Sequence, residues 1–308
     1  MPPFKPMQAL QGWDDCKRQI AGLLRVVEPD GAWAGRLQAA AAQMRELAAR
    51  DPDAGLYLLM QTAATEVDRY SAHHAMLCAL VGELCATWFE WPAQEVQTLV
   101  LAALTMNISM SATQDALARQ ADPLSQAQRE EVESHAQRSA ALLAKAGVHD
   151  ALWLEAVRRH HEKGTRDAEL PAQPEARLAQ LLHRVDVYTA KLSRRATRQP
   201  ASPALAARDA CLSPAGVPDP VGAALLRVLG LYPPGSFVLL RSGETAIVVR
   251  RGAKAHTPLV AALRRADGGL YMPPVRRDTA LSRQAVLRGV GIGEVKVRLD
   301  HLRVLGAV

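Results

Sequence analysis

The stretch Leu99-Val100-Leu101-Ala102-Ala103-Leu104-Thr105-Met106-Asn107-Ile108-Ser109-Met110 is apolar on every side of a helix. Such a helix has no face to give to water, so it belongs at the centre of a bundle with other helices wrapped around it. The rest of the first two thirds supplies them. Helical periodicity runs over residues 13–27, 33–49 and 55–70, separated by Glu28-Pro29-Asp30-Gly31 and Asp51-Pro52-Asp53, which read as breaks. It resumes over 71–88, 93–107, 126–143, 150–160 and 175–193, with Ser125 as N-cap and Gln128 three residues on. With aromatics at only 4% and 49% of residues hydrophobic, close-packed helices are favoured over a β-sandwich.

The pattern changes after Arg194-Arg195. Residues 198–220 are rich in Pro, Ala and Asp and lead to a short helix over 221–229. Short strand-like runs follow the turn Leu231-Tyr232-Pro233-Pro234-Gly235-Ser236: Phe237-Val238-Leu239-Leu240, Thr245-Ala246-Ile247-Val248-Val249, residues 259–263, and Lys296-Val297-Arg298-Leu299. The expected fold is therefore mostly α. It comprises an N-terminal helical region (1–69), a helical domain (70–197), a linker with a short helix (198–232) and a small β-rich C-terminal module (233–308), read as a lid or interaction module.

The four cysteines, Cys16, Cys78, Cys85 and Cys211, show no CxxC spacing, and Cys78 and Cys85 lie a heptad apart in an apolar helical pattern; they read as reduced core thiols. Met1-Pro2-Pro3-Phe4-Lys5-Pro6 lacks the apolar core of a leader, so the expectation is a cytoplasmic protein with no membrane partner. The net charge of +6 suits an anionic partner, but without a basic stripe interleaved with aromatics it points to modest steering of nucleotides and not to specific nucleic-acid binding.

Chemistry enters at Arg158-Arg159-His160-His161-Glu162-Lys163-Gly164, where two adjacent imidazoles close an amphipathic helix. Taken alone the pair reads as a solvated helix end. With His74, His135 and Asp186 on separate helices, it reads instead as a bundle-core metal site. Asp186 sits between Val185 and Val187, and a carboxylate there needs a partner: a histidine cluster, a metal, or an ion pair with Arg184 or Arg194.

His74, His135, His160-His161-Glu162 and Val185-Asp186-Val187-Tyr188-Thr189-Ala190, in that order, resemble the HD-GYP branch of the HD-domain phosphohydrolases. Pro123-Leu124-Ser125 and Leu229-Gly230-Leu231-Tyr232-Pro233-Pro234-Gly235 add to the likeness, which covers residues 70 to about 250. The resemblance implies an HD-domain helical bundle binding two or three metal ions and hydrolysing cyclic di-GMP with metal-activated water. The chain also departs from the family. Met106-Asn107 stands where the family has its His-Asp doublet, whose Asp bridges the metals, and Ile108-Ser109-Met110 replaces Ile-Gly-Lys. After Glu162 the Gly-Tyr-Pro signature is absent.

A thioether and an amide cannot replace a bridging carboxylate. The sequence therefore implies a degenerate member without a binuclear centre or phosphodiesterase activity, binding cyclic di-GMP, a related nucleotide or a signalling protein. The alternative is a phosphohydrolase with one divalent transition metal (Zn, Fe or Mn) on His135, His160 and His161, with His74 and Asp186 as a remnant of the other half. A third reading makes the histidines satisfied core residues.

Overall fold

The computed structural model describes residues 6–29, 31–162, 169–211, 219–295 and 297–308. Helices come first: α1 (Pro6–Arg25), α2 (Ala32–Arg50), α3 (Pro52–Thr65), α4 (Tyr70–Trp88), α5 (Ala93–Thr105), α6 (Ser111–Arg119), α7 (Gln126–Lys145), α8 (Ala151–Arg159), α9 (Pro174–Leu192), α10 (Pro203–Cys211) and α11 (Pro220–Leu229). Strands β1 (Phe237–Leu240), β2 (Thr245–Arg250), β3 (Leu259–Arg264), β4 (Leu270–Asp278) and β5 (Val286–Val290) follow, and helix α12 (His301–Gly306) ends the chain.

Two helices form the centre. Every residue from Tyr70 to Gly82 in α4 and from Thr98 to Thr105 in α5 is buried, so neither stretch has a face in water. Helices α1, α3, α5, α6, α9 and α11 all pack on α4. Local chemistry sets where the helices begin. Asp51 accepts the Ala54 N–H ahead of Pro52, and Ser125 and Gln128 form a reciprocal capping box at α7. Asp150 accepts the Trp153 N–H and also the Thr98 hydroxyl, which ties the start of α8 to α5. The Trp153 indole donates to Thr105 at 2.8 Å, fixing α8 against the end of the central helix. Asp219 caps α11 through the Gly222 N–H and pairs with the buried Arg184 of α9 at 2.6 Å.

The sheet is antiparallel in the order β4-β3-β2-β1-β5. Alternation divides its side chains. Phe237, Ile247, Val249, Ala261 and Leu263 join the helical core, whereas Val238, Leu240, Ala246, Val248, Val260 and Ala262 form a second small core closed by Tyr232, Tyr271 and Val286. The β-rich region and the bundle thus share a core. Their junction requires glycine: Gly235 has φ of +92°, and a Cβ there would lie 2.9 Å from the Met60 Cβ and 3.0 Å from the Tyr57 carbonyl oxygen. Around it Gln61 donates to the Gly235 carbonyl, Arg250 pairs with Asp51 at 2.8 Å, Arg251 pairs with Asp53, and the Tyr57 hydroxyl meets His301 Nδ1 at 2.9 Å.

Several expectations need correction. Helix α6 occupies a stretch to which the sequence reading gave no element, and α10 lies inside the expected linker. Val297, Arg298 and Leu299 are not a strand, and Lys296 lies outside the described residues. The fifth strand is instead Val286–Val290, where burial does not alternate. Strand β4 contains Pro273 and Pro274, which an edge strand tolerates because one row of its backbone groups is unpaired. The stretch Ala93–Arg119 reaches membrane-spanning length and hydropathy, and 72% of its apolar window is buried inside the fold.

Two glycines make opposite predictions. At Gly55, inside α3, a Cβ would lie 2.5 Å from the ring of the buried Trp13, whereas at Gly22 of α1 nothing lies within 4 Å. Gly22→Ala is expected to stabilise by roughly 0.5–1 kcal/mol through helix propensity. Gly55→Ala is expected to destabilise by about 1–3 kcal/mol through overpacking. Urea unfolding of both variants checks the pair, and equal shifts would remove Trp13 as the cause.

Candidate metal centre

His135 lies within α7, and His160 and His161 follow the last turn of α8. The Nδ1 of His135 lies 2.5 Å from the Val132 carbonyl oxygen, and the Nδ1 of His160 lies 2.6 Å from that of Val157. A carbonyl only accepts, so both Nδ1 atoms carry their proton, and each neutral ring turns an Nε2 lone pair outward. Those lone pairs face each other. His135 Nε2 is 3.2 Å from His160 Nε2 and 3.1 Å from His161 Nε2. A proton on His161 would satisfy His135 but leave the His160 lone pair confronting it. A cation between the three nitrogens relieves all of them, and tetrahedral Zn–N bonds of about 2.0–2.1 Å place ligand nitrogens roughly 3.3–3.4 Å apart.

Electrostatics keep these rings in the coordinating form. Burial, then the charge His161 would carry, pushes His160 down to about 3. Burial also lowers His135 and His161, the latter helped by its neighbour His135. His161 remains exposed, so the trio is buried on one side and open on the other. His183 donates from Nδ1 to the His160 carbonyl at 3.0 Å and holds the turn after α8 in place.

His74, Cys78 and Asp186 form a second group. His74 Nε2 is 2.7 Å from Asp186 Oδ1, and the Cys78 Sγ lies 3.6 Å from that nitrogen and 3.0 Å from the Thr189 hydroxyl. Burial alone would lower the His74 pKa, but the neighbouring Cys78 and Tyr70 and the hydrogen bond to Asp186 act against it and raise the imidazole above its ordinary value. Burial would raise Asp186, and the His74 hydrogen bond and charge reverse that and keep the carboxyl well below its usual range. The group is a buried imidazole–carboxylate hydrogen bond, and the His74 Nδ1 on the far side of the ring has no hydrogen-bond partner among the described residues. The Asp186 charge also acts on His135, His160 and His161. The alternative arginine partners are engaged elsewhere or solvated: Arg184 holds Asp219, and Arg194 is exposed.

Met106 and Asn107, where the resemblance places the doublet, sit in a closed turn. Met106 is fully buried at the end of α5, and the Asn107 carbonyl accepts the Met110 N–H at 3.0 Å. This turn is tied to α7, because Ser109 donates from its hydroxyl to the His135 carbonyl at 3.1 Å and from its N–H to Ser139 at 3.2 Å. Residues 163–168, where the Gly-Tyr-Pro signature would begin, lie outside the described residues.

Two participants escaped the sequence reading. Cys78 is a reduced core thiol as expected, and its i+4 spacing from His74 on one helix face also places it in this group. Arg195 stacks on Tyr70 at 5.2 Å, donates to its hydroxyl at 3.1 Å, and Tyr70 in turn stacks on His74. With Met110, Gln114 and Val132 it lines a cleft of about 210 Å³, and the buried Arg195 Nε and Gln114 Oε1 have no hydrogen-bond partner there among the described residues.

No family model matches the chain, and no curated protein or solved structure matches it.

The buried neutral His160 predicts acid sensitivity of the metal-free protein. Its folded pKa of about 3 lies below the ordinary value, so the unfolded chain takes up the proton first and stability falls as the pH drops below about 6.5. Between pH 6.5 and pH 5 this one group removes about 2 kcal/mol. Urea unfolding with chelator present is expected to show that loss in the wild type and a flatter profile in His160→Gln.

Proposed function

We propose that this protein is a degenerate relative of the HD-GYP phosphohydrolases that holds one divalent transition metal, zinc, iron or manganese, on His135, His160 and His161. It acts by binding and not by cleaving cyclic di-GMP. One observation carries the reading: the Nε2 atoms of His160 and His161 both lie within 3.2 Å of that of His135, and backbone carbonyls at Nδ1 leave those of His135 and His160 as lone pairs. The ligands come from α7 and the turn after α8, and His183 of α9 supports that turn.

The other half argues against a second metal. Asp186 is spent on His74, and a buried methionine stands at the doublet. Two divalent ions about 4 Å apart repel by on the order of 15 kcal/mol even at an effective dielectric of 20, and nothing among the described residues stands as the bridging anion. The cleft beside Met110, with an unpartnered edge of Arg195, suits an anionic ligand such as cyclic di-GMP or a related nucleotide, whose occupancy a signalling protein would read.

A mononuclear phosphohydrolase is the second reading, favoured by the solvent-facing side of the three-histidine group, where a metal-bound water would sit. Metal analysis and turnover separate the two. The expected result is one metal per chain and no hydrolysis of cyclic di-GMP with added Mn or Fe; turnover would favour the hydrolase, and two metals per chain would sink both.

A thermal melt with and without Zn locates the site. His160→Ala is expected to abolish the Zn-dependent rise in melting temperature. Asp186→Ala should keep the rise while lowering stability by about 3 kcal/mol, because His74 loses its buried partner. The reverse pattern would place the metal on His74. Met106→His with Asn107→Asp should raise the stoichiometry toward two.

A further inference from the structure

We infer that the cleft between α1, the start of α4 and α6 is a separate binding site for a nucleotide-sized polyanion, independent of the histidine centre. Residues 1–69 carry no catalytic motif in sequence. The fold, however, brings Arg18 and Arg25 of α1, Arg69 at the N-cap of α4 and Arg119 of α6 around one cleft of about 700 Å³. That volume falls within the range of about 300–1,000 Å³ typical of small-molecule sites.

The charges are not mutually cancelled. Asp68 and Asp115 also line the cleft, so its four arginines face two carboxylates there: Asp68 pairs with Arg119 at 3.3 Å, Asp115 accepts the Ser71 N–H at 2.7 Å, and Arg18 pairs with Asp15. No ion pair among the described residues engages Arg25 or Arg69. Arg69 also occupies the left-handed region, with φ 54° and ψ 35°. For a residue with a Cβ this costs about 1–2 kcal/mol, and such strain concentrates where a site needs a particular backbone path. Ala21, Gly22, Ala72 and Ala112 complete the lining with small side chains, and at Gly22 even a Cβ would meet nothing within 4 Å. Guanidinium groups from three elements around a floor without bulk suit paired phosphates and a flat base, since arginine both forks to phosphate and stacks on rings.

Helix α6 separates this cleft from the one beside Arg195. Ser111, Ala112, Asp115 and Arg119 face one side, and Gln114 and Leu117 face the other. Arg25 and Gly22 touch only the cleft proposed here, which lets variants tell the two apart.

The test is isothermal titration of the full-length protein with GTP, with inorganic phosphate as the small-anion control. GTP is expected to bind at least about tenfold more tightly than phosphate. Arg25→Ala with Arg69→Ala should weaken GTP by about tenfold or more, and so should Gly22→Glu, which puts a carboxylate into the cleft at an exposed helix position that tolerates a side chain. His160→Ala and Arg195→Ala should leave the affinity within about twofold. The inference is overturned if GTP does not bind, if both cleft variants bind it normally, or if Arg195→Ala alone abolishes binding. Sedimentation with phosphatidylglycerol vesicles in the absence of GTP binding would equally overturn it, by assigning the arginines to a membrane surface.

Discussion

A helix buried on every side must meet an imidazole's hydrogen bonds inside the protein or bear the cost of leaving them open. Helix α4 is such a helix from Tyr70 to Gly82, and it carries His74 into the centre of the bundle. The rest of the site follows from meeting that demand. Asp186 of α9 supplies the acceptor at 2.7 Å, Cys78 one turn further along α4 lies against the same nitrogen, and Tyr70 one turn back covers the ring. Arg195 then covers Tyr70, so the layered stack brings the buried pair to the wall of a cleft. The carboxylate also needs α9 held at a fixed depth, which Arg184 does by locking that helix to Asp219 and the Ala210 carbonyl.

The helical part of this architecture was legible because its signals are local. The apolar run at 99–110, the prolines and aspartates at helix starts and the capping box at Ser125 each act within a turn of chain. The β region was less legible for the same reason. Strand β4 carries two prolines that only its edge position excuses, and β5 has no alternation to detect, so both depend on neighbours far away in sequence. Helix α6 escaped because it follows the buried Met106–Met110 turn, which the resemblance presented as a motif position and not as the hinge between two helices.

The candidate site divides along the same line. His135, His160, His161, His74 and Asp186 were nameable in advance, but which nitrogen faces which was not. That depends on the Val132 and Val157 carbonyls, three residues back along each helix, and on α7 and α8 lying side by side. Arg195 shows the limit most clearly. In sequence it belongs to a run of arginines before a proline-rich stretch, and only its position over Tyr70 distinguishes it from Arg194 and Arg198.

The two halves of the centre are held by different means. The three-histidine side is oriented by backbone carbonyls of α7 and α8 and by His183, none of which involves the doublet position. The opposite side keeps a buried carboxylate that, with no metal beside it, still requires positive charge within reach. His74 answers it across the 2.7 Å hydrogen bond from Nε2, so a proton occupies the place that a second metal ion would fill on the proposed reading. Once that proton is in place, a carboxylate at position 107 is no longer needed for charge balance, and an apolar Met106 completes the packing at the end of α5. Restoring the doublet alone therefore competes with a hydrogen-bonded pair already formed: the second metal must displace the His74 proton, and its affinity should fall as the pH is lowered more steeply than that of the three-histidine side.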